Sequence, residues 1–315
     1  MAIYLLRRAV TAAVVLLGIS MVTFALLHIM SPSPGRDVLG LQASRASVAA
    51  FNRAHGFDRP LISQYLSYMN QLVHGNLGYS YKLNQSVDAL LSENAGRTAM
   101  LVGVSLVIAI AIAVPLGIFQ AVKRNEAADN VVTALAFTAY SMPSFFLGLL
   151  LIDLFALRLH LVNAEASQST SAFVIFTDPR SMVLPVATMA AVSVAMYSRY
   201  QRSATLDQLA QDYIRLARAK GLPARLVLTR HLVRNACLPM VTLIGLSVPL
   251  LLAGNLVIES VFNYPGLGLL FFNSLQSDDY PVLLAYTLVS GALTVLGNLA
   301  ADISLALSDP RIELA

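Results

Sequence analysis

Apolar runs uninterrupted by Asp, Glu, Lys or Arg divide the chain into six segments: Ala9 to Met30, Thr98 to Val122, Asn130 to Ile152, Ser181 to Ser198, Asn235 to Ile258 and Tyr280 to Ala301. Each is long enough, or nearly so, to cross about 30 Å of hydrocarbon at about 1.5 Å of rise per residue. The pattern predicts an all-α polytopic membrane protein with six transmembrane helices, and an even number returns the chain to its starting side. The largest polar stretch, Ser31 to Gly96, predicts short helices without a core of their own. Asp58 can cap a helix with Pro60 in its first turn, and Leu61, Tyr65, Leu66, Met69, Leu72 and Val73 recur at helical spacing until Gly75-Asn76-Leu77-Gly78 ends the run. Ser44 to His55 is a weaker version of the same pattern. So little apolar surface must lean on the spans or on a partner, and a surface cap of no function is the plainer alternative.

A second polar stretch has a different character. Between the fourth and fifth runs, Arg199 to Arg234 carries eight Arg/Lys against two acids. Within it, Asp207 to Lys220 repeats Leu209, Ala210, Tyr213, Ile214, Leu216 and Ala217 at three-to-four spacing, which predicts one helix with an apolar face and a basic flank. Arg218 and Lys220 suit the last turn, Gly221 can take the left-handed conformation that ends it, and Pro223 opens a second helix carrying Arg230 and Arg234. Two short helices hinged at Gly221-Leu222-Pro223 form a stiff element whose apolar face can seat in the cleft of a soluble partner. A basic loop lying on anionic headgroups is the alternative, and it leaves the Gly-Pro hinge without a purpose.

Composition narrows the class. With 315 residues, 57% hydrophobic, 12% charged and a mean hydropathy of +0.68, the chain is too apolar for a soluble domain. Basic residues mark one side: Arg7 and Arg8, Lys123 and Arg124, the Arg199 to Arg234 loop, and Arg311; of the alternate loops Glu259 to Asp279 holds none, the second is flanked by Arg158 and Arg180, and the first carries five but is long, and long loops count little. Short basic loops resist translocation, so both termini are expected in the cytoplasm. The net charge of +4 follows from this loop bias and points to membrane lipid, with no nucleic acid as a partner. The single cysteine, Cys237, excludes an internal disulfide and reads as a small apolar residue. The first apolar run is longer than a secretory signal core and lacks a small-x-small cleavage site after Met30, so it reads as a retained anchor.

Several spans carry residues that a plain bundle does not need. Pro115, Pro143, Pro185, Pro239 and Pro249 kink or end spans two to five. Ser141, Met142, Pro143 and Ser144 in the third span, and Gly245, Ser247 and Asn255 in the fifth, combine breaks with small or polar groups. They are candidate linings of a translocation pathway; close helix packing through small residues is the alternative. Asp153 and Asp302 lie at span margins within reach of headgroup water. Catalytic chemistry is not indicated. The only lysines, Lys82, Lys123 and Lys220, are followed by Leu, Arg and Gly, so no phosphate-binding G-x-x-x-x-G-K-[S/T] loop exists. No metal-ligand spacing and no nucleophile elbow appears, so no catalytic, metal or cofactor-binding residue is expected.

The stretch Ala217-Arg218-Ala219-Lys220-Gly221, followed by His231-x-x-Arg234-Asn235-Ala236 and Pro239, resembles the EAA loop of ABC-importer permeases of the peptide/nickel family. Tyr4-Leu5-Leu6-Arg7-Arg8 is similar to that family's N-terminus. Glu259-Ser260-Val261-Phe262 with Pro265-Gly266-Leu267-Gly268, then Asp279-Tyr280-Pro281, resembles its third outer loop, and Asn298-Leu299, Asp302 and Asp309-Pro310-Arg311 resemble its end. The insertion after the first span is typical of the B-type subunit. Two departures stand out: Arg215-Leu216-Ala217 keeps only the last alanine of Glu-Ala-Ala, and Ser33-Pro34-Gly35-Arg36-Asp37 replaces Pro-Gly-Asp-Pro.

The resemblance implies a type I ABC importer permease fold in a bacterial inner membrane. It divides the chain into an anchor helix (1–30), an extracytoplasmic helical insertion (31–96), a permease core (97–307) with a coupling loop at 199–235, and a cytoplasmic tail (308–315). It implies a C-type permease partner, two ATPase subunits or one fused ATPase that carry ATP and Mg, and an external substrate-binding protein. It assigns ATPase coupling to Asp212, Tyr213, Arg215, Ala217, Arg218, Ala219, Lys220 and Gly221. It assigns receptor docking to Glu259, Phe262, Pro265, Gly266, Asp278 and Asp279. Substrates of the family include dipeptides, oligopeptides, nickel chelates and glutathione, with short peptides the expectation here. An ATP-independent channel would use the same kinked spans. An intramembrane hydrolase would need acids that meet, and Asp153 and Asp302 sit near opposite faces.

Overall fold

A computed structural model describes residues 2–30, 34–40, 42–169, 171–252 and 255–308 of the chain. The chain enters through α1 (Ala2–Met30) and builds the insertion from α2 (Pro34–Leu39), α3 (Arg45–His55), α4 (Leu61–Val73) and a two-stranded antiparallel hairpin, β1 (Tyr79–Ser80) and β2 (Gln85–Ser86). Then follow α5 (Val87–Val122), α6 (Ala127–Ser141), α7 (Ser144–Leu151) continued by a π-helical turn at Ile152–Arg158, α8 (Val174–Thr177) and α9 (Pro179–Leu209). The basic loop holds α10 (Asp212–Ala219), α11 (Ala224–Leu226), a π-helical turn at Val227–Leu232 and α12 (Val233–Ala236). The chain closes with α13 (Leu238–Leu252), α14 (Leu256–Val261), α15 (Leu267–Gln276) and α16 (Tyr280–Ser308). Pro249 lies in α13 and Asp302 in α16, but their side chains, with Asp309-Pro310-Arg311 and most of the 308–315 tail, fall outside the described residues.

Among the described residues, four helices are long and apolar enough to cross a membrane: α1, α5, α9 and α16. The third apolar run is not one rod: α6 and the α7 stretch form a pair bent by 105° that counts as a span only if taken together. The cause is local, since proline disfavours helical backbone in the residue before it, and Met142 is accordingly extended ahead of Pro143. Of the fifth run the described residues show α13 over Leu238–Leu252, and after residues 253–254, which lie outside the described set, α14 capped by the Asn255 side chain.

Among the helices that outrun their apolar segments, α5 and α9 do so by most. α5 has 36 residues, about 54 Å, and starts eleven residues before Thr98; α9 continues past Ser198 to Leu209. Charge ends a hydrocarbon-facing run without ending a helix, so counting charge-free residues finds the membrane and misses the extension. In the insertion, Pro60 rather than Asp58 precedes the first residue of α4, with its backbone extended at φ −54 and ψ 143.

The core is built on α5 against α9. Leu101, Val102, Met182, Leu184, Val186 and Met189 form its centre, with Ile258, Phe262 and Tyr264 of the later chain packed into it. At the other end of the pair, a Cβ on Gly117 would lie 2.6 Å from the Ser198 carbonyl oxygen and 2.9 Å from the Arg202 nitrogen. Backbone cannot retreat as a flexible side chain can, so Gly117→Ala should force α5 and α9 apart and destabilise the bundle by about 1–3 kcal/mol. A lowered thermal midpoint of the detergent-solubilised protein is the check.

Candidate functional site

The basic loop is a compact knuckle at the end of α9. Ile214 and Ala217 of α10 are buried against Val227 and Leu232, and Leu209, Tyr213, Leu222 and Leu228 close the small core. α10 therefore spends its apolar face on its own chain, and that face is not free for a partner cleft. Asp212, Arg215, Arg218, Ala219 and Lys220 point to solvent, with Leu216 as the one large apolar side chain among them, 56% exposed. The expected single helix from Asp207 to Lys220 is also broken, because Gln211 adopts extended backbone (φ −73, ψ 148) between α9 and α10. Tyr213 bridges the break by donating its hydroxyl to Gln208 Oε1 at 2.7 Å.

The end of α10 is built as the glycine predicts. Gly221 has φ +75, its N–H donates to the Arg218 carbonyl at 2.9 Å, and the Leu222 N–H donates to the Ala217 carbonyl at 3.3 Å. This pair of bonds with a left-handed glycine is the Schellman arrangement, and Leu222 adds its apolar contact. The second helical stretch is tied to α9 where Gln201 Nε2 donates to the Ala236 carbonyl at 3.0 Å. The ion pair of Arg215 with Asp212, 3.2 Å, is exposed on both sides and adds little.

Beside this knuckle lies a cluster that the sequence did not announce. Asp129, at the start of α6, is 2% exposed and receives a bidentate pair from Arg202 of α9, Nε at 2.9 Å and Nη2 at 2.8 Å. The same carboxylate accepts from the Asn125 N–H at 3.0 Å and the Thr133 hydroxyl at 3.3 Å. One turn before Arg202, Arg199 lies over the rings of Phe137 and Tyr140 of α6, 4.5 and 5.0 Å from their centroids. α6, which leads into the break at Met142-Pro143, is thereby fastened to the helix that carries the knuckle. The acid and the arginine are far apart in sequence, and each alone reads as an ordinary loop charge.

The expected pathway residues divide between two elements. Ser141, Met142, Pro143 and Ser144 form the α6–α7 break, with Ser141 and Pro143 exposed. Ser247 bonds within α13 to the Leu243 carbonyl at 2.8 Å, and Asn255 caps α14 by accepting from the Ile258 N–H at 3.3 Å. α7 meets α14 where a Cβ on Gly148 would lie 3.2 Å from Val261 and 3.3 Å from Phe262. Asp153 is ion-paired with Arg158 at 2.8 Å on the exposed π-helical turn.

Four of the six residues expected to dock a receptor are turned inward. Glu259, Phe262, Gly266 and Asp279 are buried, Pro265 is half-buried, and Asp278 alone is exposed. Glu259 organises the turn into α15: Oε2 accepts from the Gly268 N–H at 2.6 Å and the Leu269 N–H at 3.1 Å, while Oε1 accepts from the Thr98 hydroxyl at 2.8 Å. Thr98 in turn accepts from the Leu267 N–H at 2.8 Å. A Cβ on Gly266 would sit 2.5 Å from Glu259 Oε2 and 2.6 Å from Thr98 Oγ1, which is why the position has no side chain. Burial pushes the Glu259 carboxyl up, against the opposing pull of the bonds from Thr98, Leu269 and Gly268. Glu259→Ala should strand three donors and cost about 3 kcal/mol or more. Faster proteolysis between Asn263 and Leu269 in the membrane-embedded protein is the check. Asp279 accepts from the Ser80 hydroxyl, fixing β1 to the start of α16, and burial pushes its carboxyl up as well.

Comparison with known proteins converges on one family. Residues 113–314 match the model described as binding-protein-dependent transport system inner membrane component, and residues 1–102 match the N-terminal membrane component of the same systems. The chain is 36% identical to the oligopeptide transport system permease protein AppB of Bacillus subtilis, covering 99% of this chain and 100% of the relative. It is 33% identical to the dipeptide transport system permease protein DppB of Escherichia coli K12, covering 98% of each. Among solved structures, a chain of the MetNI methionine ABC transporter in inward-facing conformations superposes with a TM-score of 0.52 at 18% identity, over 70% of this chain and 96% of that one. That likeness bears on the fold, the type I ABC importer permease fold, with four to five spans evident by helix length among the described residues. The chain belongs to the family of inner-membrane components of binding-protein-dependent transport systems.

Proposed function

We propose that this chain is the B-type permease subunit of an ATP-driven importer of short peptides, dipeptides foremost. It lines half of the translocation path and leaves hydrolysis to separate subunits. The observation that carries the reading is the knuckle itself: a rigid, self-packed helix, α10, that ends in a Schellman turn and stands on the continuous 31-residue α9. Such an element transmits displacement, and its exposed ridge of Asp212, Arg215, Leu216, Arg218 and Lys220 offers a mixed polar surface with one apolar point for an ATPase to grip. Peptide cargo is supported by the names of the relatives, which are similar over nearly their full lengths.

The rest of the assembly follows the family's logic. A C-type permease completes the pathway, two ATPases or one fused ATPase, which carry ATP and Mg themselves, dock on the α10 ridge, and an external binding protein delivers substrate. Both termini and the knuckle lie in the cytoplasm of a bacterial inner-membrane complex, as the placement of Arg and Lys supports. Residues 31–96 and 97–307 act as outer cap and permease core. Receptor docking falls to the exposed groups of the third outer loop, Asp278 with Asn263 and Ser277, while Glu259, Phe262, Gly266 and Asp279 hold that loop in shape. ATP binding draws the two knuckles together, and the broken third span, with Ser141 to Ser144, moves with them against Ser247 and Asn255.

The test is uptake of a labelled dipeptide into proteoliposomes holding the chain with its partner permease, ATPases and binding protein. Uptake that requires both ATP and the binding protein, and that unlabelled dipeptides compete, is expected. Flux of substrate without nucleotide would instead establish a channel, and competition by glutathione or a nickel chelate but not by peptides would reassign the cargo.

A further inference from the structure

α15 begins on a side chain of α5 and ends at the exposed part of the third outer loop. Its first residues, Leu267, Gly268 and Leu269, each present a backbone N–H that has no partner inside the helix. Glu259 Oε2 takes those of Gly268 and Leu269, and the first, that of Leu267, is taken by the Thr98 hydroxyl of α5 at 2.8 Å. Thr98 gives its own proton to Glu259 Oε1, also at 2.8 Å, so one fully buried hydroxyl both accepts from that loop and donates to it. One residue earlier, the Tyr264 hydroxyl donates to the Arg97 carbonyl at 2.7 Å, and Arg97 Nη1 donates to the Pro265 carbonyl at 3.1 Å. From this anchorage the ten residues of α15 run out to Ser277 and Asp278, both exposed.

The helix that carries Thr98 is locked to the helix that carries the knuckle. Leu101 and Val102 of α5 share a buried cluster with Met182, Val186 and Met189 of α9, and Ala109 and Ala113 share another with Tyr197. Further along, the Gly117 crossing brings the two backbones together at Ser198 and Arg202. From Thr98 to Gly117 is about 28 Å of one continuous helix, which runs through Pro115 without a break. Interiors packed at this density shift between discrete arrangements rather than yield gradually, so α5 and α9 move as one body. The α10 knuckle stands at the inner end of that body, and α15 is fastened near its outer end. The covalent route between the same two places, through α13 and α14, is jointed, because Asn255 leaves helical backbone at φ −95 and ψ 77.

We infer that Thr98 is a positioning residue for receptor-stimulated ATP hydrolysis: its hydroxyl fixes the start of α15 to the α5–α9 body, so that loaded binding protein seated on Ser277 and Asp278 displaces α10. The inference rests on the importer reading above and adds the route by which its outer and inner partners act on each other. Two distant sites are coupled only through an element whose arrangement both of them bias, and the α5–α9 body is bonded to the first and carries the second. Thr98 and Glu259 divide the work. Glu259 shapes the turn into α15, and Thr98 connects that turn to the helix pair that holds the knuckle.

The test measures ATP hydrolysis by the full transporter in proteoliposomes, without binding protein and over a range of concentrations of the loaded one. Thr98→Val keeps the side-chain shape and removes both bonds, whereas Thr98→Ser keeps the hydroxyl and loses a methyl. Thr98→Val should retain the basal rate and the half-maximal concentration of binding protein while maximal stimulation falls about tenfold, and Thr98→Ser should stay near wild type. A packing role alone would be preserved by valine and not by serine. Tyr264→Phe removes only a bond to a helix carbonyl, strands no donor, and decides the matter if Thr98→Val fails to assemble; its maximal stimulation should fall about threefold. Full stimulation in Thr98→Val or in Tyr264→Phe overturns the inference and leaves α13 as the route. Equal losses in Thr98→Val and Thr98→Ser overturn it too, as does a changed half-maximal concentration at an unchanged maximum, which would make Thr98 part of the docking surface. These outcomes in a complex whose wild type responds to binding protein remove this inference alone, while a wild type that ignores binding protein removes the importer reading and this inference with it.

Discussion

Gly221→Val should uncouple the importer while leaving the chain in the membrane. The glycine holds φ +75, which a β-branched residue reaches only at a cost of about 1–2 kcal/mol. That is a factor of about 5–30 in the balance between a capped α10 and a frayed one. No atom lies within 4 Å of the Cβ position, so the penalty is one of backbone conformation and not of collision. Gly221→Asn, which tolerates left-handed backbone, should therefore stay close to wild type. The measurement is substrate-stimulated ATP hydrolysis beside peptide uptake in the reconstituted complex. Both should fall sharply in Gly221→Val with protein abundance unchanged, and a valine variant with normal stimulation would remove α10 as the coupling element.

The contrast between Gly221 and Glu259 shows what a sequence discloses. Gly221 follows a short periodic helix and precedes Pro223, and a glycine at that place announces a left-handed cap before any coordinates exist. Glu259 lies in a loop beside Phe262 and Pro265-Gly266, where a charged residue is expected to face water and a partner. Its role as acceptor for the Gly268 and Leu269 N–H groups depends on Thr98 lying opposite, 161 positions away, and no local pattern encodes that. The apolar runs were legible because the bilayer imposes a length on them. The α6–α7 bend was half legible, since Pro143 predicts a break but not its 105° angle. The inward turn of Ile214 and Ala217 was hidden for the same reason as Glu259. A sticky face is visible in the periodicity, and what it sticks to is a matter of tertiary contact.

Arg202 and Asp129 are the case in which such hidden pairing should weigh most. Removing one partner of a buried pair leaves a stranded charge and costs about 3–5 kcal/mol, and Arg202, with 27% of its side chain exposed, can recover some hydration, so Asp129→Asn should fall near the lower end. Arg202→Lys should also be costly, because an ammonium cannot reproduce two parallel bonds at 2.9 and 2.8 Å. The neutral double variant Asp129→Asn/Arg202→Gln should regain part of the stability, since no charge is then stranded. The exchanged pair Asp129→Arg/Arg202→Asp should not, because the Asn125 N–H and the Thr133 hydroxyl both need an acceptor at position 129. Thermal midpoints of the solubilised complex rank these variants. At temperatures where the double variant remains folded, α6 is held to α9 without the ion pair, by Arg199 over Phe137 and Tyr140 and by packing, so basal ATP hydrolysis should persist while its stimulation by loaded binding protein falls. Full stimulation in that variant would show that the third span moves without the clamp.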